Sequence, residues 1–283
     1  MGWITHPHPC QSPQGLANKQ RVKPGFYRSN LLCFEPFIFI KIFLKFLFTD
    51  LDGTFLGGTK QDQLRLLQAI ESSSIGLVYV SGRGHPSIFP AINSNELARP
   101  SAVIGDVGTS IWDGKGETFS QDYEGLVQAR WKDGQHLLRD QLKEFLNQGL
   151  REQPIFGPHR YSLHYNSPAI AKHAAKRIEA LGFDGLISDN QYLDALPRGI
   201  NKGFAVNWLM AYWGLTANQV LVAGDTLNDL AMLRLPLPAV VVANAEPELK
   251  EELLTQKGNP GLMFASQDGA AGIYESLEQL GWL

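Results

Sequence analysis

The chain has 283 residues, 44% hydrophobic and 19% charged, enough for one large domain or a core with a smaller companion. A formal net charge of −3 lacks the basic surplus that tracks a phosphate backbone, so nucleic acid is not the expected partner, whereas a small anion needs only local positive charge. Two cysteines, Cys10 and Cys33, provide neither a disulfide framework nor a CxxC metal site and fit a reducing cytoplasm.

Residues 1–41 read as an N-terminal extension, because "THPHPCQSPQGLANKQRVKPG" is rich in Pro, Gly and Gln and has no apolar period. Disorder is one expectation for it. Another is a native start further downstream; no methionine lies between Met1 and Met210, so this would need an alternative codon such as Val22 or Leu44. The apolar stretch "LLCFEPFIFIKIFLKFLF" is interrupted by Glu35, Pro36, Lys41 and Lys45 and falls short of the roughly 20 apolar residues of a membrane span, so no membrane is expected.

From residue 42 short apolar runs alternate with helical periods. "IFLKFLFT" predicts a strand, 60–73 a helix, "IGLVYVSG" a strand, 86–98 a helical stretch and "SAVIGDVG" a third strand. The pattern then changes: a hairpin is expected through Asp113-Gly114, a helix over 131–149, an alternating strand in "HRYSLHYN", a helix over 168–182 and two strands in "GLISDNQYLDAL". After Pro197 the alternation resumes, with helices at 202–213, 227–234, from Pro247 and at the C-terminus, around the strands "QVLVAGD", "AVVVAN" and "GLMFA". The expected fold is α/β, a Rossmann-like parallel sheet core formed by 42–109 and 198–283, with an α+β unit, 110–197, inserted in it.

In open parallel sheets ligands bind beyond the carboxyl ends of the strands, where Asp50, Ser81 and Asp225 fall. "FLFTDLDGTFLG" sets Asp50 and Asp52 one residue apart, and two carboxylates about 4 Å apart repel by about 4 kcal/mol at an effective dielectric of about 20. A cation would offset that. An EF-hand does not account for it, because the glycine position of that loop is Phe55 and its last ligand position is Gln61. Taken singly, each residue has a plainer reading: a strand-end aspartate caps a helix, Ser81-Gly82 makes a turn, and Lys202 is a solvated lysine.

"DLDGTFL", "VSGRG", "GINKG" and "GDTLND", in that order, resemble the haloacid dehalogenase superfamily of phosphohydrolases over residues 42–279. The insertion stands where that family carries its class IIB cap. The resemblance implies that Asp50 is the nucleophile, forming an aspartyl phosphate, and that Asp52 donates a proton to the leaving oxygen and later takes one from water. A carboxylate of ordinary pKa is ionised at neutral pH, so Asp50 would need no base to activate it. The implied Mg²⁺ site comprises Asp50, the backbone carbonyl of Asp52, and Asp225, with Asn228 and Asp229 binding metal-bound water or orienting Lys202. Thr54, Ser81, Gly82 and Lys202 would hold the phosphate.

Within the superfamily, "DVGTSIW", "HRYSLHYN", "YLDALPRGINKG" and "VAGDTLNDLAML" are similar to the sucrose-phosphate phosphatase group. This implies a phosphorylated sugar substrate, sucrose 6-phosphate or a related disaccharide phosphate, with a phosphorylated glycosylglycerate or hexose phosphate as the alternative. Arg83, His164, Tyr165 and Arg198 are the candidate substrate residues, and Trp112, His159, Arg160 and Asp194 offer further polar or aromatic groups. Arg83 either reaches substrate or pairs with a surface acid, and a histidine on an alternating strand is otherwise structural. "VSGRGHPS" lacks the hydroxyl residue that usually follows the arginine in this group. A receiver-like binding protein would need neither the insertion nor Asp52, while a phosphotransferase would need water excluded from the same intermediate.

Overall fold

The computed structural model describes residues 44–154, 157–255 and 258–283; the expected N-terminal extension, both cysteines and most of the apolar stretch lie outside the described residues. The chain runs from β1 (Lys45–Thr49) through α1 (Lys60–Ser72) to β2 (Ile75–Val80), then through α2 (His85–Asn93) to β3 (Ala102–Gly105), and folds back as β4 (Ser110–Asp113). It continues as α3 (Gln121–Trp131), α4 (Gly134–Gln141), α5 (Lys143–Asn147), β5 (Arg151–Glu152), β6 (Tyr161–His164), α6 (Pro168–Ala180), β7 (Phe183–Ser188) and β8 (Tyr192–Pro197). The last section holds α7 (Lys202–Trp213), β9 (Val220–Gly224), α8 (Leu230–Leu233), β10 (Ala239–Val241), α9 (Pro247–Thr255), β11 (Leu262–Phe264) and α10 (Gly269–Gln279).

One sheet has the order β11-β10-β9-β1-β2-β3-β4, parallel except for β4, and a second, antiparallel sheet has the order β5-β6-β8-β7. The strands of the large sheet are apolar on both faces because helices cover both. Phe46, Phe48, Val78 and Val222 pack into one cluster, while Leu47, Leu77, Tyr79 and Leu221 pack into the other. Strand order reverses between β1 and β9, so their carboxyl ends flank the crevice of a doubly wound sheet.

Two stretches differ from the sequence reading. Ser110–Asp113 was expected to open a hairpin of the inserted unit, yet it forms the antiparallel edge of the large sheet, with Ile111 opposite Ile104 in the apolar cluster. Its return is a single bridge, Trp112 to Thr118. The helix expected over 131–149 is three helices. α3 begins ahead of it, burying Tyr123 and Val127 in the large-sheet cluster and Trp131 in the cluster of the small sheet, and Lys132 at φ 54 breaks the run. Among the described residues no helix is long and apolar enough to cross a membrane.

Candidate active site

The site forms where β1 and β9 end side by side. Asp50 follows β1 in extended geometry, its N–H donating to the Ala223 carbonyl of β9 at 2.9 Å, and the chain then turns through Leu51–Phe55. That turn sends the next carboxylate elsewhere. Asp50 is buried at 5% exposure, whereas the Asp52 side chain is 60% exposed. The stacking of two carboxylates suggested by the sequence is thereby avoided.

Instead, Asp50 clusters with residues distant in sequence. Lys202, fully buried at the start of α7, donates from Nζ to Asp50 Oδ1 and to Asp229 Oδ1, each at 2.6 Å. It is not a surface lysine. Asn201 caps that helix by accepting from the Phe204 N–H at 2.9 Å, which fixes where Lys202 enters. Asp229 spends its other oxygen on the N–H groups of Asp225 at 2.9 Å and Thr226 at 3.0 Å. Asp225 accepts the Thr54 hydroxyl, and Thr54 is itself fully buried. Gly53, at φ 76, passes Asp225 so closely that a Cβ there would lie 2.1 Å from Asp225 Oδ2, so any side chain at this position would push that carboxylate aside.

Asp50, Asp225 and Asp229 each offer an oxygen within 4.8 Å of the others. Three carboxylates facing one ammonium leave two negative charges, matching one divalent cation. Burial pushes the carboxyls of Asp50 and Asp225 well above the usual range, with Asp229 adding to the effect on both and Lys202 opposing it. The expectation that Asp50 is ionised at an ordinary pKa therefore does not hold for the cation-free protein. For Lys202, burial acts against the ammonium, and the Asp229 and Asp50 carboxylates more than reverse it. Asn228 Oδ1 is buried with no hydrogen-bond partner, as an oxygen awaiting a cation's water or a substrate would be. The donor set fits Mg²⁺, a hard cation that takes oxygen ligands.

Arg83 approaches from the loop after β2. Its Nε donates to Asp52 Oδ2 at 2.8 Å, and a terminal nitrogen donates to Asp52 Oδ1, forming a two-pronged pair. The acid that Arg83 meets is the candidate proton donor itself. Ser81, 1% exposed, uses its hydroxyl to accept the Arg83 N–H at 3.1 Å. A cavity of about 820 Å³ opens above these groups, with Asp50, Asp52, Gly82, Arg83, Asp225 and Asn228 in its wall. The inserted unit closes it with Gln153, Arg160, Asp189, Tyr192 and Asp194, and Trp112 contributes from β4.

His164, Tyr165 and Arg198 are not among the described residues of that wall. Tyr165 falls in the phase of the β6 strand that packs into the small-sheet cluster with Tyr161 and Leu163. His164 ends β6 with its ring 5.1 Å from Tyr192. Arg198 lies beyond β8 and pairs with Asp184 at 3.3 Å. Sequence reasoning passed over Gln153, Asp189 and Tyr192, and also Asp106, which the two glycines of "GDVG" flag only as a turn.

Residues 43–281 match the family described as sucrose-6F-phosphate phosphohydrolase. The chain is 38% identical over 238 residues to the glucosylglycerol-phosphate synthase of Pseudomonas anguilliseptica, covering 83% of this chain but spanning only 30% of that protein. It is 27% identical to the mannosylfructose-phosphate phosphatase of Agrobacterium fabrum, covering 84% of this chain and 97% of that one. Among solved structures, the sucrose-phosphatase of Synechocystis sp. PCC6803, in complex with sucrose and phosphate, shares the fold with a TM-score of 0.73 at 24% identity, over 84% of this chain and 98% of that one. With its four motifs gathered at the carboxyl ends of a doubly wound sheet, the chain belongs to the sucrose-6F-phosphate phosphohydrolase family of the haloacid dehalogenase superfamily.

Proposed function

We propose that the protein is a Mg²⁺-dependent phosphatase of a phosphorylated glycoside, with sucrose 6-phosphate or a related disaccharide phosphate as substrate. The observation that carries this reading is the buried cluster of Asp50, Asp225 and Asp229 around Lys202 at the floor of the cavity. Asp50 attacks phosphorus, the bond to the sugar oxygen breaks, and Asp52 protonates that oxygen. Water then attacks phosphorus with Asp52 taking its proton, releasing phosphate and restoring Asp50. Bound Mg²⁺ supplies the positive charge that keeps Asp50 ionised and steadies the phosphoryl oxygens.

Lys202 fixes Asp50 for in-line attack, and Asp229 fixes Lys202. Arg83 holds the Asp52 carboxylate until the phosphate ester competes for the guanidinium, which frees Asp52 to take a proton from solvent and deliver it to the leaving oxygen. Thr54 orients Asp225, and the Ser81-Gly82 turn presents the Arg83 loop. The relative from Pseudomonas anguilliseptica favours a second substrate, glucosylglycerol phosphate. The two cysteines and the chemistry of a phosphorylated metabolite support a cytoplasmic setting, downstream of an enzyme that forms the sugar phosphate.

The test is phosphate release from a panel of phosphorylated sugars with and without Mg²⁺, using the parent and Asp50→Asn. Release should require Mg²⁺ and fall to background in the variant. Equal release by both proteins would exclude the nucleophile, and equal turnover of every sugar phosphate would exclude only the disaccharide assignment.

A further inference from the structure

The turn after β3 ends at Gly108, and the chain returns to that point at the start of α7. Gly108, at φ 97, lies so close that a Cβ on it would stand 2.4 Å from the Asn201 carbonyl and 2.8 Å from the Lys202 nitrogen. One residue further on, a Cβ on Gly203 would stand 2.5 Å from the Ala231 carbonyl oxygen. The first turn of α7, which carries Lys202, is therefore packed directly against two stretches of backbone.

The Gly108 carbonyl accepts the hydroxyl of Tyr123, a residue of α3 that is 1% exposed. Burial raises the pKa of that hydroxyl well above its ordinary value, so it remains a donor at neutral pH. The Tyr123 ring packs on α7 itself, its centroid 4.8 Å from that of Trp208 and 6.3 Å from that of Phe204. From there α3 reaches into the inserted unit. Trp131, at its far end, meets Phe183 edge-on at 5.3 Å in the small-sheet cluster. Arg130 lies over the Phe204 ring, 5.0 Å from its centroid, and donates to the Arg198 carbonyl at 3.2 Å. One helix thus holds both α7 and the end of β8. A second tie meets the head of the same turn, where Arg160 Nε lies 3.3 Å from Asp106 Oδ1.

We infer that Tyr123 is a positioning residue for the reaction: its hydroxyl seats the Gly108 turn against α7, sets where Lys202 meets Asp50, and makes that meeting depend on how the inserted unit is seated. This goes beyond the phosphatase reading above and rests on it. Tyr123 is not among the described residues of the cavity wall, so it acts through Lys202 and not on substrate. Lys202 holds Asp50 and Asp229 at 2.6 Å each, and a shift of α7 by a fraction of an ångström loosens both contacts. Misplacement of about 1 Å is enough to cost roughly a hundredfold in rate, so a small loss of seating is read in turnover.

Tyr123→Phe keeps the ring and removes the hydroxyl. Tyr79→Phe is its control, because Tyr79 is equally buried and donates to the Ala98 carbonyl at 2.8 Å, in the cluster on the other face of the large sheet. Both variants are compared with the parent, with Mg²⁺ and well below each thermal midpoint. The substrates are p-nitrophenyl phosphate and whichever of sucrose 6-phosphate and glucosylglycerol phosphate the parent turns over faster. For Tyr123→Phe, kcat should fall about tenfold on both esters with KM within about twofold, while Tyr79→Phe keeps the parent's kcat. An unchanged kcat, or an equal fall in the control, overturns the role.

Arg130→Met tests the far end of α3. Its kcat should fall about threefold, and the double variant with Tyr123→Phe should lose less than the product of the two losses; full multiplication overturns the coupling through α3. Amide hydrogen exchange needs no substrate. Phe204 and Ala205 donate to the side chain and the carbonyl of Asn201, and their exchange should be faster in Tyr123→Phe than in Tyr79→Phe. Equal protection in the two variants overturns the inference. If the parent releases phosphate from neither ester, it is the phosphatase reading that fails, and exchange alone then decides the part played by Tyr123.

Discussion

At the scale of single residues, Asp50 and Asp225 link chemistry to stability. Their carboxyls are raised by burial above the value of about 4 expected in an unfolded chain, so the folded, cation-free protein holds protons that the unfolded chain releases. The contribution of such groups to stability is complete below the unfolded pKa and is lost as pH rises through the folded one. The thermal midpoint of the metal-free protein should therefore fall as pH rises above about 4, and Mg²⁺ should raise that midpoint more under mildly alkaline than under mildly acidic conditions. Thermal melts across pH, with Mg²⁺ or with a chelator, measure this, and a Mg²⁺ effect independent of pH would contradict it. These residues were legible because each stands at a strand end inside a compact motif. Asp106 was not, because its importance depends on Arg160, which arrives from another sheet.

Among elements, the Leu51–Phe55 turn does the most with the fewest residues. It separates Asp50 from Asp52, brings Thr54 under Asp225, and leaves room beside Asp225 only for a glycine. Asn244, from the loop after β10, fastens it by donating to the Gly53 carbonyl at 2.9 Å while accepting the Gly269 N–H at 2.8 Å. Gly53→Ala should displace Asp225 and raise the Mg²⁺ concentration for half-maximal activity by about tenfold or more, the size of backbone strain of a kcal/mol or two. A Mg²⁺ titration of phosphate release checks this, and an unchanged titration would mean that the turn adjusts elsewhere. Elements of the large sheet were readable because its strands are mostly apolar and most of its helices run nine residues or more. α3 was missed because only Tyr123, Val127 and Trp131 mark its buried face, and the two-residue strand β5 is too short to carry a period. The cap histidine and tyrosine were misplaced because alternation tells which residues share a face but not which face meets the cavity.

For the molecule as a whole, the question is how the inserted unit meets the large sheet over the reacting groups. The β7–β8 hairpin turns at Asp189 and Asn190, with φ of 51 and 48, and touches the turn after β9. Glu246 accepts there from the Leu227 N–H at 2.9 Å, and burial raises its carboxyl pKa while the backbone of Leu227 and Asp189 opposes the rise. This carboxylate therefore joins the hairpin tip to the loop that carries Asn228. Glu246→Ala should speed amide hydrogen exchange at residues 188–191 and raise KM for the sugar phosphate several-fold, as expected when about one charge-assisted hydrogen bond is lost. Unchanged exchange at the tip would assign the closure to Arg160 and Asp106 instead.

Lys202 has a consequence outside catalysis. Its side chain is fully enclosed and its ammonium is shared between two carboxylates, whereas most lysines in a folded protein extend into water. An acylating reagent or trypsin therefore meets it only when α7 and the ends of β1 and β9 come apart together. Modification at this one amine is a chemical clock for opening of the catalytic floor, read by mass spectrometry without any substrate present.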